Sequence, residues 1–301
     1  MSTRDVTLVT CEPLPEPDPD MQLIRDALDE LGMTSRVCVW NASRIDWSAS
    51  PVTMIRSTWD YYHDRASYLR WAEHVSAVSS LFNPLEVVRW NSHKSYLLDL
   101  DSHGLPVVPT ILVERGSETR LAELCEEREW AKIVVKPAVS AASFQTHVVD
   151  REHLDEALFN RLVGDRDMLV QPYVPEVESH GERSIIVIDG QITHSVGKSP
   201  RFHGQDERIS GPLDVSDQQA ELARHAIAAV DHELLYGRVD MVETASRGPL
   251  ITELELIEPS LFLGYADQGV TQRLAGALAD RVNAARAARD TPSAGTTQVR
   301  S

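Results

Sequence analysis

The chain has 301 residues, 42% hydrophobic and 25% charged, the make-up of a soluble globular protein long enough for two or three compact units. Lysine and arginine total 29 against 46 aspartate and glutamate, and the net charge of −17 argues against wrapping nucleic acid or binding an anionic membrane, though not against a local basic pocket. Cys11, Cys38 and Cys125 are far apart and form no CxxC pair; with no signal peptide and no apolar run long enough to span a bilayer, the expectation is a cytoplasmic protein.

In chain order, "VTLVTC" (6–11) reads as a first buried strand. The proline-rich "EPLPEPDPD" (12–20) reads as a loop over a strand end, because proline removes donors and fixes the backbone. "MQLIRDALDELG" (21–32) is an amphipathic helix closed by Gly32. "SRVCVW" (35–40) and "VTMIRS" (52–57) are further strands, and a helix follows over 64–79. Strand, helix, strand predicts a small doubly wound α/β domain over residues 1–90. Next, a helix capped by Asn91 or Ser92 is expected to run to Gly104. "TILV", the helix "ETRLAELCEEREW", "KIVVKPA" (132–138), "THVVD" and a helix at 151–162 predict a second, α+β unit over 91–166. A third unit over 167–287 opens with the strand "DMLVQPYV" (167–174) and a hairpin at 183–197 whose Asp189-Gly190 turn suits the tight types. A helix over 216–235, two strands that are antiparallel across "TASRGP", and a helix over 266–287 complete it. The tail 288–301 has too little apolar content to fold and is expected to be disordered.

Four features carry chemistry. Lys94 lies near a predicted helix start, and Lys136 closes the β-branched run "KIVVKP", an odd place for a core residue and a natural one for a phosphate ligand. "VQPYVPE" (170–176) holds two prolines around Tyr173 and Val174, which leaves backbone groups open to the edge of a flat heterocycle. "RVD" (238–240) precedes "LITELELIEP" (250–259), where alternation puts Glu253 and Glu255 on one face and Leu254 and Leu256 on the other. A half-exposed strand with a wet acidic face accounts for that alternation. So does a hard cation between the two carboxylates, and magnesium suits oxygen ligands.

In this order and spacing, the features resemble those of the ATP-grasp superfamily. Arg238-Val-Asp240 and Glu253-Leu-Glu255 are similar to the R-x-D and E-x-N strands of D-alanine–D-alanine ligases, with Glu in place of Asn. "QPYVPEVESHGERSIIVIDG" (171–190) resembles the linker and strand of bacterial glutathione synthetases. The resemblance implies an α/β (α+β) ATP-grasp fold, with two α+β subdomains clasping ATP behind the N-terminal domain. It implies that Lys94, Lys136 and Lys198 reach the phosphates and that Gln171, Tyr173 and Val174 meet adenine. Glu178, then Glu176, are implied for the ribose. Asp240, Glu253 and Glu255 are implied as ligands of magnesium, with two ions expected. Arg238 and Lys198 are implied as catalytic, stabilising the transferred phosphoryl group or a tetrahedral intermediate. Glu258 is expected to be structural rather than a direct ligand. The glycine-rich phosphate lid of the superfamily is replaced here by "PAVSAASFQT" (137–146), which predicts a stiffer lid.

"MIRSTWDYY" (54–62), "LFNPLEVVRWNSHK" (81–94) and "ELIEPSLFL" (255–263) resemble a narrower branch that includes D-cycloserine synthetase, which closes O-ureido-D-serine into an isoxazolidinone ring. On that resemblance the substrate is a small amino acid, cyclised after ATP activates its carboxylate. Arg56 at a strand's carboxyl end would clamp it, with Trp59, Asp60 and Tyr61 lining the pocket and Arg183 and Arg201 beside it; equally, Arg56 would pair with Asp60 beside a packed Trp59. "GKSPRFHGQ" (197–205) reads as a loop over the substrate or an ordinary surface loop. An intermolecular carboxylate–amine ligase and a nucleotide-binding sensor without turnover stand as alternatives. A homodimer is compatible with the sequence.

Overall fold

The structure, a computed structural model, describes residues 4–141, 144–199 and 208–290. Three sheets organise it. The first is parallel, in the order β2-β1-β3-β4, from β1 (Val6–Thr10), β2 (Ser35–Val39), β3 (Val52–Ser57) and β4 (Ser80–Phe82), with α1 (Pro19–Glu30) and α2 (Arg65–Ser76) as crossovers. Strands β1 and β3 are buried along their whole length, as expected of parallel strands covered on both faces. The proline-rich stretch ends in a helix start: Asp18 accepts from Asp20 N and Met21 N, and Pro19 stands where no amide donor is needed.

The single helix expected over 91–104 is two helices, α3 (Leu85–Asn91) and α4 (Tyr96–Ser102). Asn91 does not cap a helix. Its side-chain amide donates to Leu254 O at 2.8 Å and accepts from Leu256 N at 2.8 Å, which ties the end of α3 to a distant strand. Lys94 sits in the break, and its backbone N–H donates to Ala138 O at 2.7 Å.

The second sheet is antiparallel, in the order β5-β8-β6-β7, from β5 (Ile111–Val113), β6 (Lys132–Pro137), β7 (His147–Asp150) and β8 (Met168–Pro172). The helices α5 (Leu121–Glu127) and α6 (Glu156–Asp165) share a core with it through Leu121, Cys125, Phe159 and Val163. β8, expected to open the third unit, lies inside this sheet, so a boundary at residue 166 falls within it.

The short α7 (Glu176–His180) leads into the third sheet, also antiparallel, in the order β11-β10-β9-β12-β13. It comprises β9 (Glu182–Ile188), β10 (Gln191–Lys198), β11 (Ile209–Ser210), β12 (Tyr236–Thr244) and β13 (Gly248–Glu255). The β9–β10 turn has φ of +50° at Asp189 and +72° at Gly190, the left-handed pair a tight hairpin requires. Helix α8 (Asp217–Ala228), opened by a Ser216–Gln219 capping box, stops seven residues short of the expected end. Leu234 and Leu235 are needed in the core, and Leu235 N donates to Asn83 Oδ1 at 2.8 Å. The last helix, α9 (Gln268–Asp290), packs on α1, and Leu274, Leu278 and Val282 share one core with Val6 and Leu8 of β1 and Ile186 and Ile188 of β9.

One buried polar hub fastens the N-terminal sheet to the chain beyond β13. The Asp20 carboxylate accepts from Leu261 N (2.7 Å), Phe262 N (3.1 Å) and Leu263 N (2.8 Å) and lies 3.4 Å from Arg56 Nη2. Arg56 also bonds Asp18 Oδ1 at 3.3 Å and Pro259 O at 2.9 Å. These bonds hold Phe262 at a φ of +51°, a left-handed conformation that non-glycine residues seldom adopt. Asp20→Ala would leave three buried N–H groups without an acceptor and Arg56 with one partner fewer. It is expected to destabilise the protein by about 3–5 kcal/mol in denaturant unfolding, and an unchanged midpoint would show that the hub carries no stability.

Candidate active site

Register explains the site. In the antiparallel pair β12–β13, Arg238 stands opposite Glu255 and Asp240 opposite Glu253; across β9, Asp240 stands opposite Ser184, and across β10, Glu182 stands opposite Lys198. Paired residues share a face, and residues two apart on a strand share it too. One face of the third sheet therefore presents Lys198, Glu182, Ser184, Asp240, Arg238, Glu253 and Glu255. Leu254 and Leu256, of opposite parity, are fully buried in the core. This face floors a cleft of about 850 Å³ whose other walls come from β6, β8, the α3–α4 break and the N-terminal domain.

Four carboxylates of the cleft, Glu182, Asp240, Glu253 and Glu255, are paired with lysine or arginine. Glu253 lies between two lysines: Lys94 Nζ is 2.7 Å from Oε2 and Lys136 Nζ 3.0 Å from Oε1. Burial would raise the Glu253 carboxyl, but the two ammonium groups outweigh it and hold it well below the usual carboxylate range. Burial would likewise lower the Lys94 ammonium, and Glu253 outweighs it. Asp240 accepts from Arg238 Nε and Nη2 at 2.9 Å each, Lys198 Nζ at 2.5 Å and Ser184 Oγ at 2.6 Å. Against the effect of burial, Arg238 and Lys198 pull its carboxyl down to about 2. Lys198, also 3.4 Å from Glu182, is held above its ordinary value by Asp240 and Glu182 despite burial. Arg238 Nη2 bonds Glu255 as well, yet burial keeps the Glu255 carboxyl above its ordinary value. Burial, with the Glu255 charge next, pushes the Glu258 carboxyl up to about 8.

Some expectations about the site change. Among the described residues, no three carboxylate, imidazole or thiol groups converge on one point. Of the expected metal ligands, Asp240 pairs with Arg238 and Lys198, Glu253 with Lys94 and Lys136, and Glu255 with Arg238. Four hydrogen bonds, two from Arg238 and one each from Lys198 and Ser184, occupy the Asp240 carboxylate. Glu253 and Glu255 keep unfilled oxygen sites. Hard carboxylate oxygens on one strand, beside ammonium groups from two other elements, fit a magnesium–polyphosphate group.

Of the residues expected to meet the nucleotide, Gln171, Tyr173, Val174 and Glu178 line the cleft, whereas Glu176 faces a separate groove beside Gln218 and Arg247. Gln171 Nε2 donates to Thr110 Oγ1 at 2.8 Å, and the Tyr173 hydroxyl donates to Glu178. The Tyr173 N–H donates to Lys132 O at 2.9 Å and is thus committed within the protein, while the Val174 N–H has no protein acceptor among the described residues.

On the substrate side, Trp59 and Tyr61 line the cleft. Arg56 does not. It is fully buried in the hub with Asp18 and Asp20, so it is neither an exposed clamp nor the partner of Asp60. Asp60 turns the other way and accepts from Trp40 Nε1 at 2.7 Å. Arg183 stands opposite Met241 and Gly197, on the far face of the sheet, and donates to Asp214 O at 2.6 Å. Arg201 and His203 lie outside the described residues. The sequence reading missed Glu182 and Tyr96. Two-residue alternation with Ser184 was a signal for the first; nothing local announced the second, whose hydroxyl accepts from Leu254 N at 3.2 Å.

Fold and cleft together define an ATP-grasp ligase. The chain superposes on the crystal structure of D-cycloserine synthetase DcsG with a TM-score of 0.83 at 33% identity, covering 92% of this chain and 99% of that one. It resembles D-alanine–D-alanine ligase from Bacillus anthracis in fold, with a TM-score of 0.67 at 11% identity over 96% and 100% of the two chains. It is 34% identical over 284 residues to the cycloserine biosynthesis protein DcsG of Streptomyces lavendulae, covering 88% of this chain and 94% of that protein. Residues 6–83 match the family described as the D-cycloserine synthetase DcsG N-terminal domain. The chain belongs to the DcsG family, and it is an ATP-dependent ligase.

The Glu258 carboxyl gives a signed pH prediction. Unfolded, it ionises near 4.5; folded, it keeps its proton up to about 8. Its contribution to stability is therefore complete below pH 4.5 and is lost as pH rises toward 8. Glu258→Gln should melt higher than the parent at pH 8, with the difference shrinking toward pH 5. A difference that is constant with pH in thermal unfolding would refute the raised value.

Proposed function

We propose that the chain is a cyclo-ligase that closes O-ureido-D-serine to D-cycloserine. The observation that carries this is the likeness along almost the whole chain to D-cycloserine synthetase. In the proposed reaction the γ-phosphoryl group of ATP passes to the substrate α-carboxylate, giving an acyl phosphate and ADP. The side-chain nitrogen bonded to oxygen attacks that carbonyl carbon and loses its proton, phosphate leaves, and a five-membered ring closes. Water then takes the carbamoyl group from the ring nitrogen. Because the nucleophile is tethered to the electrophile, closure avoids the entropic cost of bringing two molecules together.

The cleft supports these steps residue by residue. Lys94 and Lys136 bind phosphate oxygens, and Lys198 with Arg238 stabilises negative charge on the acyl phosphate and the tetrahedral carbon. Glu253 and Glu255 would hold magnesium, two ions being the expected number, which neutralises phosphate charge during transfer. Val174 and Gln171 line the adenine end, with Glu178 at the ribose. Trp59 and Tyr61 line the substrate end. The buried free thiols Cys11, Cys38 and Cys125 suit the reducing cytoplasm, where we place the enzyme.

ADP release with O-ureidoserine as sole amino acid, together with identification of the ring product, tests the reading. If ADP appears only when a second amino acid is supplied and the product is a linear dipeptide, the chain is an intermolecular ligase. If no amino acid elicits ADP, it is a nucleotide-binding protein without turnover. Arg238→Ala is expected to lower kcat roughly 10²–10³-fold with the far-UV spectrum unchanged. Glu253→Gln should abolish turnover, and near-normal activity of that variant with magnesium would remove Glu253 from the phosphate site.

A further inference from the structure

The carboxylates of the cleft are not equivalent. Glu182, Asp240, Glu253 and Glu255 each have a lysine or arginine partner. Glu258 lines the same cleft, and among the described residues no lysine, arginine or hydroxyl group bonds its carboxylate. The backbone that carries it is nevertheless fixed from both sides. Trp59 Nε1 donates to Glu258 O at 2.8 Å, Arg56 Nη1 to Pro259 O at 2.9 Å and Arg238 Nη1 to Ser260 O at 3.1 Å. The next three amides are held by Asp20. The fold thus commits two arginines, a tryptophan and a buried aspartate to this one short segment, and leaves its acidic side chain with no lysine or arginine of the described residues bonded to it.

The position is informative. Glu258 stands three residues past Glu255, on the side of the cleft where Trp59, Tyr61 and Phe262 form aromatic walls. Lys94, Lys136 and Lys198 line the same cleft, and their ammonium groups are already paired with Glu253, Glu182 and Asp240. An α-amino acid whose carboxylate is turned toward those cations carries its positive α-ammonium on the same α-carbon, next to the reacting carboxylate. That ammonium requires an anion that is not already paired.

We propose that Glu258 is the residue that recognises the α-ammonium group of the amino-acid substrate, and so sets the requirement for an α-amino acid over a plain carboxylic acid. Arg56, Trp59 and Asp20 are then positioning residues that aim it. Burial, with the Glu255 charge next, disfavours the charged form of Glu258, and an ammonium bonded to its carboxylate would favour it. The proposal rests on the amino-acid ligase reading above.

The test compares O-ureidoserine with its analogue lacking the α-amino group, using ADP release by the parent protein and by Glu258→Gln at saturating magnesium. In the variant, KM for O-ureidoserine should rise roughly 10- to 100-fold while KM for ATP and the magnesium requirement stay put. The parent's preference for O-ureidoserine over the analogue should fall by the same factor. An equal loss on both compounds, or a shifted magnesium requirement, would overturn the proposal and make Glu258 a metal or structural carboxylate. If the parent releases no ADP with O-ureidoserine, the cyclisation reading fails by itself; the comparison is then run with whichever α-amino acid does elicit ADP and its des-amino counterpart, and its outcome decides Glu258 in the same way. If no α-amino acid elicits ADP, both readings are overturned.

Discussion

The register between β12 and β13 is the constraint on which the site depends. Arg238 opposite Glu255 and Asp240 opposite Glu253 bring four charges onto one face of a sheet whose other face is core. A slip of one residue would send those charges into the apolar interior and Leu254 and Leu256 into the cleft. Removing such groups from water is costly, so each must find a partner of opposite sign. The third sheet provides two, Arg238 on β12 and Lys198 on β10. The others, Lys94 and Lys136, come from the α3–α4 break and β6. Charge balance therefore works as an assembly rule: Glu253 is satisfied only when the second sheet and the α3–α4 break close over the third.

A second set of buried polar groups plays the same part for the N-terminal domain. Asp20 and Arg56 contact no ligand pocket, yet they take up the backbone groups of residues 259–263 and so place one wall of the cleft. Tyr236 helps from the neighbouring strand: its hydroxyl, which has one proton, lies 2.8 Å from Ile55 O and 2.7 Å from Ile257 O, joining the ends of β3 and β13. Such groups cost desolvation energy, and in return they give the segment one conformation, including the left-handed Phe262. A cleft built from a charged face on one sheet and a wall held by another domain depends on that rigidity, because misplacement by about 1 Å costs around a hundredfold in the rate of an enzyme.

How far the sequence could be read varies with how local the signal is. Alternation in "LITELELIEP" located Glu253 and Glu255, because the period of a strand is fixed by its own backbone. The Asp189-Gly190 turn and the Ser216 helix start were equally local. The helix expected across Asn91 failed because the Asn91 amide bonds Leu254 and Leu256, more than 160 residues away. The helix expected to reach residue 235 failed because Leu234 and Leu235 belong to separate cores. Arg56 was legible as a strand-end arginine, either a substrate clamp or the partner of Asp60, but its true partners were not, since they arrive from the proline-rich stretch and from the chain after β13.

By itself the sequence determined most of the elements and the faces of its strands, which follow from spacings of a few residues, while the family of its chemistry came from resemblance to ATP-grasp ligases. Only the tertiary structure decided which charges are spent on one another and which remain for a ligand. Asp240 proved fully occupied, Arg56 turned inward and Arg183 faced away, because hydrogen-bond capacity and strand parity are settled between elements and not within them.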